Sequence, residues 1–178
     1  MSGTDYSKTI TVEASAEEAY KVIALGFEFW WARPDQLVAK VGDKAKFAFP
    51  PGKGYWAFQA ADLRPGQYVE MVCFEAHHPG DGMPEAIEKE WLGTKVMWYI
   101  TETDGQSGIR FEHRGLTPDL HCYDVCTNGW DYFFVDTLKA YLIWIQVSAH
   151  RMGQKSAILF APDSSVDTGT QSLSFKKI

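Results

Sequence analysis

What the chain lacks removes several classes of function at the outset. No cluster of Lys or Arg occurs in its 178 residues, so no basic face is present to displace counterions from a nucleic acid. The apolar run Tyr141-Leu142-Ile143-Trp144-Ile145 falls far short of the ~20 residues that span a bilayer. There is no P-loop, no Gly-x-Ser-x-Gly elbow and no dinucleotide fingerprint, so the most legible enzyme classes drop out and no cofactor is expected. The first residues, Met1-Ser2-Gly3-Thr4-Asp5, lack the basic and apolar regions of a signal peptide. With only three cysteines, an odd number, a reduced cytoplasmic chain is the expectation. Cys122 and Cys126 lie one helical turn apart beside His121, but no second ligand pair accompanies them. Buried thiols, not a metal centre, are therefore expected there.

Aromatic side chains are abundant: Trp 7, Tyr 8 and Phe 11. Rings of that size are costly to leave in water, and they point to a substantial core. Hydrophobic residues make up 46% and charged residues 22%, an ordinary globular balance at a length that suits one domain. The formal charge is −6.

Periodicity divides the chain into clear elements. Ile10, Val12 and Ala14 alternate with Thr9, Thr11 and Glu13, the pattern of a half-buried strand. Ser15 and Glu18 form a capping box for a short helix through Ala19, Tyr20, Val22 and Ile23, which Gly26 ends. Phe27 to Trp31 suggests a second short helix, stopped at Arg33-Pro34. Extended segments follow at Lys44–Phe49, Tyr55–Asp62, Tyr68–Glu75 and Trp91–Thr103, with Leu92, Thr94, Val96, Trp98 and Ile100 on one face of the last. Asp104-Gly105-Gln106-Ser107-Gly108 makes a hairpin turn, after which Ile109, Phe111 and His113 face inward.

Thr117-Pro118-Asp119 has the composition of a helix start. Apolar positions then recur at Leu120, Tyr123, Trp130, Phe134, Leu138, Tyr141 and Ile145, one stripe of a long helix. Gly129 is a soft point inside it, and Asn128 a candidate second cap. Strands that cluster between helices instead of alternating with them imply an α+β fold. The expected architecture is a curved antiparallel sheet of about six strands around one long C-terminal helix, with two short helices after the first strand. Residues 1–150 form that domain and 151–178 an extension.

This order of elements resembles the START-like helix-grip superfamily (SRPBCC), and within it the branch related to the activator of heat-shock-protein-90 ATPase, which is polyketide cyclase-like. The matching pieces are Trp30-Trp31, Glu90-Trp91-Leu92-Gly93-Thr94, Phe111-Glu112-His113-Arg114-Gly115-Leu116, and Gly129-Trp130 followed by Leu138-Lys139-Ala140-Tyr141-Leu142. The resemblance implies a cavity between sheet and helix that takes a small apolar, lipid- or polyketide-like molecule. Its alternatives are an enzyme of the polyketide cyclase or hydrolase kind, and a module that contacts a chaperone partner.

Candidate residues follow from the inward faces. Trp56, Phe58, Trp98, Phe111, Trp130 and Phe134 could line an apolar pocket or simply fill the core. His113 shares their side of the sheet, where it could act as a general base, give an apolar ligand one polar anchor, or rest satisfied within the core. Tyr99 and Tyr141 are further candidate polar contacts. His77 and His78, in a loop with Asp81, Glu85 and Glu88, are expected to be solvated and not to bind metal, while Gly80 and Gly82 would let that loop move at the cavity mouth. The end of the long helix is apolar on all sides, so the extension, with its apolar piece Ser156-Ala157-Ile158-Leu159-Phe160, is expected to cover it in the same chain or across a homodimer. Truncation at Gly153 should then lower solubility, read as light scattering at rising concentration; unchanged solution behaviour would refute that role.

Overall fold

In a computed structural model, which describes residues 3–49, 54–79, 82 and 84–151, the chain opens with strand β1 (Tyr6–Val12). Two helices follow, α1 (Ala16–Leu25) and α2 (Phe27–Trp30). The capping box closes as the sequence implies: the Ser15 side chain accepts from the Glu18 N–H, and the Glu18 carboxylate accepts from the Ser15 N–H at 2.9 Å. Strands β2 (Lys44–Ala48), β3 (Tyr55–Arg64) and β4 (Tyr68–His77) come next, then a 3₁₀ turn at Glu85–Lys89. β5 (Lys95–Thr103) and β6 (Gln106–Arg114) complete the sheet, joined by a tight turn with Asp104 and Gly105 at φ 52° and 80°. The six strands pair antiparallel in the order β1-β6-β5-β4-β3-β2.

The long C-terminal helix comprises α3 (Tyr123–Trp130), a π-helical segment (Asp131–Leu138) and α4 (Lys139–Arg151). Its deepest residues, Trp130, Phe134, Leu138 and Leu142, are spaced by four throughout. On an α-helix of 3.6 residues per turn such a repeat drifts by about 40° per step, about 120° over three steps. A π turn holds more residues and rotates the other way, which keeps all four side chains on the sheet. The expected interruption at Asn128 is therefore absent: the helix widens after Gly129 and does not restart.

Strand ends shift by two or three residues, β6 for example starting at Gln106 inside the expected turn, and two boundaries differ by more. The helix begins at Tyr123 and not at Thr117-Pro118, because its first free amides are satisfied from outside: the Glu90 carboxylate accepts from the backbone N–H of His121 at 2.9 Å and of Cys122 at 2.8 Å. Leu120 thus precedes the helix, in turn structure. The strand expected from Trp91 starts at Lys95; residues 91–93 form a turn that leaves Leu92 44% exposed, while Thr94 keeps its inward position.

Rings from both layers fill the space between sheet and helix. Phe27 packs edge-on to Phe47 at 5.1 Å, Trp31 stacks on Phe47 at 4.6 Å, and Phe111 sits 4.4 Å from Trp130. At the far end Ile143, Trp144 and Val147 stay exposed. The extension expected to cover them, residues 151–178, lies outside the described residues from position 152 on. No helix among the described residues is long and apolar enough to cross a membrane.

Gly54 precedes β3 at φ 93°, and a Cβ there would run into the His77 carbonyl oxygen. Both the left-handed backbone and the close approach require glycine. Gly54→Ala should cost about 2 kcal/mol or more in urea unfolding, and an unchanged midpoint would refute this account.

Candidate functional site

His113 ends the inward face of β6 and is fully buried. Its Nδ1 accepts from the Trp130 indole N–H at 3.0 Å. An indole nitrogen can only donate, so this bond fixes the histidine proton on Nε2. Nε2–H then donates to Thr94 Oγ1 at 2.9 Å, and the Thr94 hydroxyl donates to the Trp91 carbonyl at 2.7 Å. Each of the three polar hydrogens in this relay, on Trp130, His113 and Thr94, has an acceptor. Burial holds the imidazole neutral and pushes its pKa down to about 3. With both nitrogens engaged and no solvent contact, His113 is placed to orient Trp130 and the 91–94 turn, not to exchange protons with a ligand.

Beside this network lies a cleft of about 260 Å³ between the sheet and the start of the long helix. Trp31 from the end of α2, Phe49 after β2, Trp56 from β3 and Trp91 form one side. Val125, Cys126, Gly129 and Trp130 of α3, with Phe133 of the π segment, form the other. Trp91 stacks nearly parallel to Trp130 (5.9 Å, 9°), and Trp56 tilts over Trp91 at 4.7 Å. Gly129 contributes space: a Cβ built there meets nothing within 4 Å.

The polar groups of the cleft are few. His78 packs against Trp56 at 5.1 Å. Its pKa is lowered chiefly by burial, against the pull of Glu90, so it is neutral near pH 7. The indole nitrogen of Trp56 and Nδ1 of His78 are buried with no hydrogen-bond partner among the described residues. The Trp91 indole nitrogen is likewise buried without a hydrogen-bond partner among the described residues. The Cys126 thiol is raised well above its usual range by its neighbour Cys122 and by burial, so it is not a nucleophile at neutral pH. Burial alone would raise Glu90, but the His121 and Cys122 amides and the His121 ring outweigh it and hold the carboxylate low.

The structure brings together only part of the candidate set. Trp56 and Trp130 line the cleft. Phe58, Trp98, Phe111 and Phe134 are wholly buried, in the packed core and not in the cleft wall. Tyr99 takes part on the outer face of the sheet, where the Arg110 guanidinium lies 3.8 Å over its ring and Tyr68 packs at 4.9 Å. Tyr141 stacks between Phe29 and Trp144 and does not line the cleft. Sequence reasoning passed over Trp31, Phe49, Trp91, Val125, Cys126, Gly129 and Phe133 as cleft residues, and His78, expected to be solvated, is instead half-buried against Trp56 and lines the cleft. One signal was available for Gly129, since a glycine within an apolar helix stripe leaves room beside it.

Comparison with known proteins places this geometry. No protein-family model matches the chain, and no curated protein matches it. Among solved structures, the Aha1 dimer from Colwellia psychrerythraea is similar at 25% identity and a TM-score of 0.61, over 79% of this chain and 96% of that one. Protein MLL2253 from Mesorhizobium loti matches at 20% identity and 0.61, over 77% and 96%. CalU16 from Micromonospora echinospora matches at 15% and 0.53, over 82% and 81%. A curved antiparallel sheet closed on a long C-terminal helix is the START-like helix grip, and the chain is a protein of that superfamily (SRPBCC). Within it, the chain is similar in fold to the Aha1 and CalU16 structures.

The His113 network makes stability depend on pH. A pKa depressed in the folded state means that the unfolded chain takes up the proton first, so stability is present above pH 6.5 and declines as pH falls toward about 3. Urea unfolding between pH 6.5 and 5 should show a loss approaching about 1.4 kcal/mol per pH unit. His113→Gln, whose amide can replace both hydrogen bonds, should flatten that slope; equal slopes in the two proteins would contradict the assignment.

Proposed function

We propose that the cleft binds a small apolar molecule with one or two fused rings, as a sequestering or sensing module. The observation that carries this reading is an open space of about 260 Å³ walled by Trp31, Trp56, Trp91 and Trp130. An apolar void of about 150 Å³ takes up benzene, and most ligand sites begin near about 300 Å³. The cleft therefore suits rings, and an extended lipid would not be enclosed. Binding would be driven by burial of apolar surface, at about 25 cal/mol per Å². The catalytic alternative finds no support in His113, whose two nitrogens are already engaged.

A second reading, association through the helix end, is favoured by the exposure of Ile143, Trp144 and Val147. It concerns a different face and does not compete with the cleft.

Naphthalene should raise the melting temperature and quench tryptophan emission in a saturable manner. Gly129→Leu should abolish both effects while keeping or raising the unfolding midpoint, since leucine favours the helix and extends into open space. Failure of naphthalene and of other one- and two-ring hydrocarbons to bind would overturn the proposal.

A further inference from the structure

The surroundings of the cleft favour one sign of charge. Trp31, Trp56, Trp91 and Trp130, with Phe49 and Phe133, wall the space with aromatic rings. Such rings attract cations, indole the most strongly of the side-chain rings. No Lys or Arg lines the cleft, and burial keeps His78 neutral there. A carboxylate stands close by. Glu90 precedes Trp91 in the chain, its side chain is 9% exposed, and it accepts from the amides of His121 and Cys122. Its charge acts on both His78 and Cys126, two residues of the cleft wall. Its one basic partner among the described residues is His121, at 2.7 Å with the side chain half exposed. The stretch that supplies the helix wall has no Lys or Arg between Arg114 and Lys139. On the reading that the cleft binds a ring compound, we infer that the occupant is a flat aromatic cation without N–H groups, an N-alkylated heteroaromatic of the quinolinium kind, held against the indoles beside Glu90.

The type of cation follows from what the walls lack. A primary ammonium or a guanidinium brings N–H donors that need acceptors once out of water. Among the lining side chains only His78 and Cys126 carry an atom able to accept. An N-alkylated ring has no donor to satisfy and spreads its charge over carbon. It therefore sheds water at lower cost and keeps the apolar outline that the cleft accommodates. An anion would meet the negative ring faces and the Glu90 carboxylate without a counter-charge.

Three probes of one outline separate charge from shape by calorimetry on the full chain: 1-methylnaphthalene, N-methylquinolinium and 1-naphthoate. The quinolinium should bind about tenfold more tightly than 1-methylnaphthalene, a ratio within reach of desolvated cation–π contact, and the naphthoate most weakly. Trp56→Leu keeps an apolar wall and removes a ring face. Glu90→Gln keeps an acceptor for the helix amides and removes the charge. Each should lower the ratio of the two affinities, whereas damage to the fold would lower both affinities together. Loss of the quinolinium preference in either variant supports the assignment, and its persistence in both overturns it. Equal binding of the quinolinium and 1-methylnaphthalene by the unmodified protein, or tighter binding of either other probe, also overturns it while leaving the cleft as a binding site. Absence of binding by all three removes the cleft reading together with this one.

Discussion

The hydrogen bond from Trp130 to His113 is the interaction on which the site depends. It joins the long helix to the sheet inside the core, where most of the surrounding contacts are ring packing without direction. Because the histidine is satisfied on both sides, its second bond carries the constraint on through Thr94 to the Trp91 carbonyl. Two walls of the cleft, Trp130 and Trp91, are thus set relative to one another by a single imidazole. A leucine at position 113 would pack in the same volume but would leave the indole donor and the Thr94 oxygen without partners. The histidine works through the residues it positions.

Around that point the aromatic supply is divided between core and cleft. Phe58, Trp98, Phe111 and Phe134 are wholly buried in the core beside the site. Four of the chain's seven tryptophans instead face the cleft. The cleft exists because packing fails at Gly129, where the helix offers no side chain, and its floor is made by the π segment, which turns Phe133 toward the opening while keeping Phe134 on the sheet. π-helical turns recur at functional sites because they change which side chain faces which way within one helix.

Much of the fold was legible in the sequence, because period-two and near-four spacing report burial directly. Ile10 and Val12, Ile109 and Phe111, and the Ser15–Glu18 box all stand where their patterns put them. The starts of β5 and of the long helix were not legible, because each is set by a contact distant in sequence. Glu90 caps amides some thirty residues away, and no local rule announces such a partner. The site was legible only at Trp56 and Trp130. Inward periodicity marks a residue as buried without saying whether it meets another side chain or a space, and that distinction is made by the element opposite. Tyr99 shows the converse: a polar ring beside an inward tryptophan necessarily points out of the sheet.

Glu90 and Trp91 are adjacent, and one short piece of backbone therefore does two jobs. The carboxylate anchors the first amides of the long helix, and the indole forms a wall of the cleft. A guest that displaced the ring would tug on the anchor, and loosening the anchor would free the ring. Occupancy and the mooring of the helix thus share a hinge, at the opposite end of the rod from its bare apolar tip.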